Sequence, residues 1–326
     1  MARLHRQAPR RVSLFARTPV VGSRAVGVAA GVAAAAVVCL LGGAAQASGL
    51  GAARFGGEHG HPTTDNPTAI YYNPAGIALK PGTRIFLDMS MAFRSASYDR
   101  PESAINNPGT GTPNDGLGSN SGTAKLQNTL VAPFLGASSD FGTKIFSAGL
   151  AGYFPFGGQA SWGQNANYVG SDKYPGAHDG QQRWYTIDGK IRSMYLTGAM
   201  AFNIPSIGLS IGATGSAIRS EVNTIRARNG DGSDDLVDST FNTLKEGRSW
   251  IDVKGWQAGF SLGAIWNWQS RLWIGASYTS QPNVVGGMTL KGTLHNALTN
   301  GAPSDTKVEL TQTLPEIVRL GLRFKP

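Results

Sequence analysis

The chain has 326 residues, 29 of them basic and 20 acidic, with 44 glycines and a single cysteine. Six arginines (Arg3, Arg6, Arg10, Arg11, Arg17 and Arg24) precede residue 48 and no acid does, so the remainder carries 23 − 20, or +3. That balance removes the charge footprint of a nucleic-acid binder, and the position of Cys39 leaves residues 48–326 without thiol or disulfide chemistry.

Residues 1–47 read as a secretory signal peptide. The arginine-rich start is followed by an uncharged Ala/Val-rich run over 25–41 and by Ala45-Gln46-Ala47, a small-residue cleavage site. Residues 48–83 are rich in Gly, Pro and Asn without sustained periodicity, which predicts an irregular N-terminal segment. A strand follows over 84–98, where Ile85, Leu87, Met89, Met91 and Phe93 alternate with Asp88, Ser90 and Arg94. A polar loop occupies 99–124. Residues 126–138 and 144–154 pair across a short turn, and 155–182 form a second long loop. Residues 183–202 and 207–228 pair across 203–206, and a third loop spans 229–249.

The clearest strand is 256–268. Its even positions are Trp, Ala, Phe, Leu, Ala, Trp and Trp, while the odd positions, Ile265 apart, are small or polar. At a rise of roughly 3.3 Å per residue it covers about 40 Å, or about 30 Å along the normal at a tilt of roughly 40°. That is a lipid-facing band with aromatic rings at both interfaces. Residues 269–271 then turn into a strand from Leu272, and a fourth loop near 295–306 leads to a strand over 307–324.

Long and short connections alternate throughout, the asymmetry of an outer-membrane barrel with long loops outside and tight periplasmic turns. The expected class is therefore all-β: a transmembrane antiparallel β-barrel with about eight strands present, in the outer membrane of a Gram-negative-type bacterium. Two strands change phase. Asp188, Lys190 and Arg192 occupy even positions that become apolar from Met194 onward, and Arg219 and Glu221 continue an odd-position apolar row. Either a bulge shifts the register or the upper ends rise above the membrane. In the third loop, Ser233 followed by Asp234 and Asp235 reads either as a helix start, with Leu236, Val237, Phe241 and Leu244 as an apolar stripe, or as an ordinary folded loop.

No motif points to catalysis or metal binding. Gly208-Leu209-Ser210-Ile211-Gly212 and Gly259-Phe260-Ser261-Leu262-Gly263 match a nucleophile elbow formally but lie inside alternating strands, not at a strand-to-helix turn. Asp231, Ser233 and Asp235 have calcium-loop spacing, but Leu236 and Asn242 stand where Gly and Glu are required. His59 and His61 lack further ligands at suitable spacing.

The run Asp65-Asn66-Pro67-Thr68-Ala69-Ile70-Tyr71-Tyr72-Asn73-Pro74-Ala75-Gly76 resembles the N-terminal hatch signature of the FadL/TodX family of outer-membrane channels. Tyr153-Phe154-Pro155-Phe156-Gly157, the 255–263 strand, Gly275-Ala276-Ser277-Tyr278-Thr279-Ser280 and Leu314-Pro315-Glu316 resemble later family elements in the same order. Beyond the signal peptide over 1–47, the resemblance implies a hatch over 48–83 inside the lumen with Asn73, Pro74, Ala75 and Gly76 as its motif, and a barrel wall over 84–326. Family barrels close with fourteen strands, so the visible eight suggest a partial barrel. The other reading is a complete eight-stranded one, too narrow to house a hatch of this size.

The same resemblance implies passive uptake of hydrophobic molecules, long-chain fatty acids or aromatic hydrocarbons, gated by the hatch and completed sideways through a strand kink into the bilayer. Gly149 and Gly152 lie in the strand matching the kinked one and are the expected site of that gap. A carboxylate ligand requires a lumenal cation, for which Arg94, Lys190, Arg192 and Arg319 are the candidates. The expected partners are hydrophobic small molecules and outer-membrane lipid, with a monomeric chain, no nucleic acid and no cofactor. Competing readings are a structural or adhesive barrel and a lipid-modifying enzyme.

Overall fold

The computed structural model describes residues 54–105, 117–234, 237–238, 243–284, 286–298 and 302–326. The chain divides into two units, Met1–Gln46 and Ala47–Pro326, and every described residue belongs to the second. The expected leader, and the first residues of the expected hatch, lie outside the described residues.

Among the described residues twelve strands follow one another: β1 (Arg84–Arg100), β2 (Gly122–Ser139), β3 (Phe146–Ser161), β4 (Asp188–Ile204), β5 (Leu209–Arg228), β6 (Val237–Asp238), β7 (Thr243–Leu244), β8 (Gly247–Trp268), β9 (Leu272–Thr279), β10 (Met288–Ala297), β11 (Ser304–Gln312) and β12 (Ile317–Phe324). Ten of them form one curled antiparallel sheet in which β1 to β5 and then β8 are neighbours. Beyond β8 the sheet forks. Its upper half, 248–254, pairs with β10 and its lower half, 261–268, with β9, while β11 pairs β10 and β12 pairs β9. Thus β9 and β10 are two halves of one wall strand interrupted over 280–287, and β11 and β12 are halves of the next, interrupted over 313–316. Counted as wall crossings, eight strands are present among the described residues.

The burial pattern is that of a membrane wall. Leu87 is 75 % exposed, Phe93 83 % and Leu320 73 %, and Trp256, Trp266 and Trp268 stand on the same outward face. Their alternate neighbours face inward, where Phe134, Ile218, Val253 and Ile265 are fully buried. Such an outer surface is stable only against hydrocarbon. Among the described residues no helix is long and apolar enough to cross a membrane.

Two expectations are corrected. In the third loop, β6 and β7 pair as short strands, Val237 opposite Leu244 and Asp238 opposite Thr243, where a helix was one expectation; Asp235, Leu236 and Phe241 of that expectation lie outside the described residues. Ser233 does not cap a helix. Its N–H and hydroxyl both donate to Asp231 Oδ1, at 3.0 and 2.8 Å, and Lys245 pairs with Asp231. Secondly, the β4–β5 ladder runs without interruption from Asp188↔Ile225 to Ile204↔Leu209. With no bulge to flip their side, Lys190 and Arg192 share the outward face of Leu196 and Met200 and are not lumenal. Alternation relaxes there because the strands rise past the apolar band.

Candidate functional site

Residues 54–83 pack against the concave side of the sheet. A single helical turn, Ala69–Tyr72, is followed by Asn73 in extended conformation and a 3₁₀ turn, Pro74–Ala78. Proline at the first position of that turn needs no N–H partner, and the Asn73 Oδ1 caps it by accepting from Ala75 N–H at 3.2 Å. The Asn73 amide faces the other way. Its Nδ2 donates to the carbonyls of Pro62 (2.9 Å), Ala264 on β8 (3.1 Å) and Ala276 on β9 (3.2 Å), and the residue is fully buried. One side chain therefore closes the segment on itself and ties it to two wall strands.

The wall is shaped to receive it. A Cβ on Gly263 would lie 1.9 Å from Asn73 Oδ1, and one on Gly212 would lie 2.6 Å from Ala75 N. Both positions face the lumen, and only glycine permits that approach. Ionic contacts complete the dock. Asp65 accepts from Lys80 and Arg323, each at 3.0 Å, and Arg84 donates to the carbonyls of Asp65 and Ile77. Burial alone would raise the Asp65 carboxyl, but the hydrogen bonds from Lys80 and Arg323 hold it below its ordinary value. Burial, helped by the Arg323 charge, lowers His61, whose Nδ1 accepts from the Thr63 N–H at 3.2 Å as a neutral ring must.

Aromatic rings make the apolar part of the interface. Phe55 and Tyr71 of the segment meet at 5.0 Å, Phe55 meets Phe134 of β2 at 5.2 Å, and Tyr71 meets Tyr153 of β3 at 5.4 Å. Tyr195 of β4 stacks on Tyr153 at 5.4 Å. Above this floor is an enclosed pocket of about 50 Å³ lined by Tyr71, Tyr153, Phe156, Tyr195, Phe260 and Arg319, among others.

The second feature is a separation in the wall. Strands β2 and β3 pair from Ser139↔Ala148 to Phe134↔Tyr153 and meet again at the Leu126↔Trp162 bridge. The ladder stops where both strands carry a proline, Pro133 and Pro155, which have no N–H to donate. The β3–β4 register also shifts between Tyr153 and Phe156, which turns Phe156 inward. The resulting opening, about 410 Å³, is lined by Leu130, Val131, Pro133, Phe154, Pro155 and Phe156 with Gly157 and Gly158. Pro155 and Phe156 line the lumenal pocket as well, so they stand between the two spaces.

The candidate residues fall into three groups. Arg319 faces the lumen, its guanidinium 4.6 Å from the Tyr71 ring and donating to Thr279 Oγ1 at 3.0 Å. Arg94 faces the lumen at the upper margin of the opening, donating to Asn128 Oδ1 at 3.2 Å and to the Gln159 carbonyl. Lys190 and Arg192 pair with Glu221 on the outer face, at 3.3 and 2.6 Å. Gly149 and Gly152 lie in the paired lower half of β3, opposite Ser138 and Leu135. The separation begins just beyond them because proline, not glycine, ends the ladder. At Gly149 an added Cβ would press on Ile70 Cδ1 at 3.0 Å, so that glycine makes room for the docked segment. The two prolines, one on each strand, were the overlooked signal.

A curled antiparallel sheet with its apolar face outward and a folded segment on its inner face defines an outer-membrane β-barrel wall carrying a plug. The family model described as "Outer membrane protein transport protein (OMPP1/FadL/TodX)" matches residues 26–326, and the chain belongs to that family, one of transport channels and not of enzymes. Among solved structures it is similar to a Pseudomonas aeruginosa FadL homologue, at 19 % identity and a TM-score of 0.52, covering 82 % of this chain and 62 % of the other. It is similar also to the Pseudomonas putida toluene transporter TodX, at 16 % identity and a TM-score of 0.52, covering 82 % and 64 %. The chain thus spans less than two thirds of the length of these channels. No curated protein matches it.

Proposed function

We propose that the protein conducts small hydrophobic molecules across the outer leaflet and delivers them sideways into the bilayer through the opening between β2 and β3. The observation that carries this reading is the continuity of apolar surface from the lumenal pocket, past Pro155 and Phe156, to a wall opening that faces the lipid side. A greasy solute moving along that path never returns to water. The segment over 54–83 acts as the hatch: while docked it floors the pocket with Tyr71 and holds Tyr153 and Tyr195 in a closed stack.

The rings of Tyr71, Tyr153, Phe156, Tyr195 and Phe260 favour a planar aromatic solute, which gains edge-to-face contacts beyond its buried area. A second reading, a fatty-acid carboxylate, draws on Arg319. An anion there would compete with the Tyr71 ring for the guanidinium and loosen the hatch. Uptake of radiolabelled toluene and of oleate by cells producing the protein, compared with the Arg319→Gln variant, separates the two. Toluene uptake that survives the substitution supports the aromatic reading. Oleate uptake that alone depends on Arg319 supports the second, and uptake of neither above that of cells lacking the protein rejects the channel.

A further inference from the structure

The outer face just above Trp256 carries charge in an arrangement the transport reading does not use. The ladder registers align outward side chains in rows across β4, β5, β8, β10 and β11. Arg219 lies opposite Trp256. The next row upward holds Arg192, Glu221, Lys254, Lys291 and Glu309, and the row above it Lys190, Asp252 and Lys307. Six cationic groups thus share these rows with three carboxylates, and Asp188, one row higher, lines a recess with several of them. Lys254 and Lys291 are direct cross-strand partners on one face, an arrangement that destabilises a sheet through like-charge repulsion. Lys291 reaches Glu309 at 3.4 Å, but among the described residues Lys254 makes no ion pair. Lys190 and Arg192 divide a single carboxylate, Glu221, between them. Arg219 rests its guanidinium on the Trp256 ring at 5.5 Å and, among the described residues, has no anionic partner.

We propose that this patch binds the phosphorylated headgroup of an outer-leaflet glycolipid. Height and charge both favour that occupant. The two rows stand roughly 7 and 13 Å along β8 from Trp256, or about 5 and 10 Å along the normal at a tilt of about 40°. A headgroup layer extends about 5–7 Å beyond the hydrocarbon, so the first row lies inside it and the second a few Å above it. The long loops lie at this end of the strands, which makes it the outer leaflet. A phosphate between Lys254, Lys291 and Arg219 would turn their repulsion into charge-assisted hydrogen bonds. The patch also borders the wall opening, which Lys190 and Arg192 help to line. Its role depends on the wall's orientation, not on what the channel carries.

The test is retention of lipid A by the full chain in detergent micelles, read by native mass spectrometry. Bisphosphorylated lipid A is compared with its dephosphorylated form, and the wild type with the Lys254→Gln/Lys291→Gln/Arg219→Gln variant. Retention should fall at least about tenfold on either change. A control, Lys144→Gln/Arg271→Gln in the turns at the opposite rim, should retain lipid A normally. Equal retention of both lipid forms, or an equal loss in the control, overturns the proposal. Complete displacement by millimolar inorganic phosphate overturns it too, because the site would then take free phosphate. Should the triple variant fail to insert, Lys254→Gln alone and the comparison of the two lipids on wild-type protein decide the matter.

Discussion

Asn73 concentrates the docking of the N-terminal segment in one amide. Asn73→Ala would leave buried carbonyls on Pro62, Ala264 and Ala276 without that donor, at about 1–3 kcal/mol for an unsatisfied buried group. Hydrogen exchange over 54–83 should accelerate while exchange in β4 and β5 stays unchanged; equal acceleration in both would mean that Asn73 supports the wall itself. Acid should act on the same dock in two stages. His61 is held below its ordinary value, so its contribution is complete above about pH 6.5 and is lost as pH falls through the lowered value. Asp65 is also depressed, so its contribution persists above the ordinary carboxylate range and disappears only in stronger acid. Limited proteolysis of the segment from pH 7.5 to 3 should therefore rise in two steps, the first removed by His61→Gln. At this scale the turn at Asn73-Pro74 was legible, because an Asn before Pro favours an extended residue entering a turn. The side on which Lys190 and Arg192 lie was not, since charge above the apolar band carries no phase information.

Among the elements, β3 shows how a strand can be recognised in sequence and its break still be misplaced. Glycine suggests weakness, but a glycine keeps its N–H and can stay in the ladder, as Gly149 and Gly152 do. Two prolines just beyond the last β2–β3 pair, Pro133 on one strand and Pro155 on the other, remove a donor from each, and only the three-dimensional register shows that both lie at the end of the same ladder. The interruptions at 280–287 and 313–316 were hidden similarly, because each half-strand alternates correctly on its own. The extracellular loops depend on Arg183, which is fully buried. It donates to both carboxylate oxygens of Glu246 at 3.0 Å, to Asn120 Oδ1 at 2.7 Å and to the Ser119 carbonyl at 2.9 Å. Arg183→Ala would remove these hydrogen bonds and leave Asn120 and the Ser119 carbonyl without that donor, while Arg248 still pairs with Glu246 at 2.6 Å, at about 1–3 kcal/mol for an unsatisfied buried group. Protease cleavage in 162–187 should rise sharply while the heat-modifiable mobility of the barrel is kept; loss of that mobility would place Arg183 in the wall's stability instead.

For the whole molecule, the alternation of lipid-facing and lumen-facing residues was legible along almost every strand, because a membrane wall admits no other pattern. What the sequence could not convey is where that wall parts. The sideways route is tested most directly at Gly158, which lines the opening and where an added Cβ would meet nothing within 4 Å. A Gly158→Trp side chain should fill the opening without disturbing the strand. Toluene uptake by cells producing this variant should fall to the level of cells lacking the protein, while binding of toluene to the purified chain, followed by tyrosine fluorescence, stays as in the wild type. Uptake equal to that of the wild type, with the variant folded and inserted, would show that the solute leaves the lumen by another path.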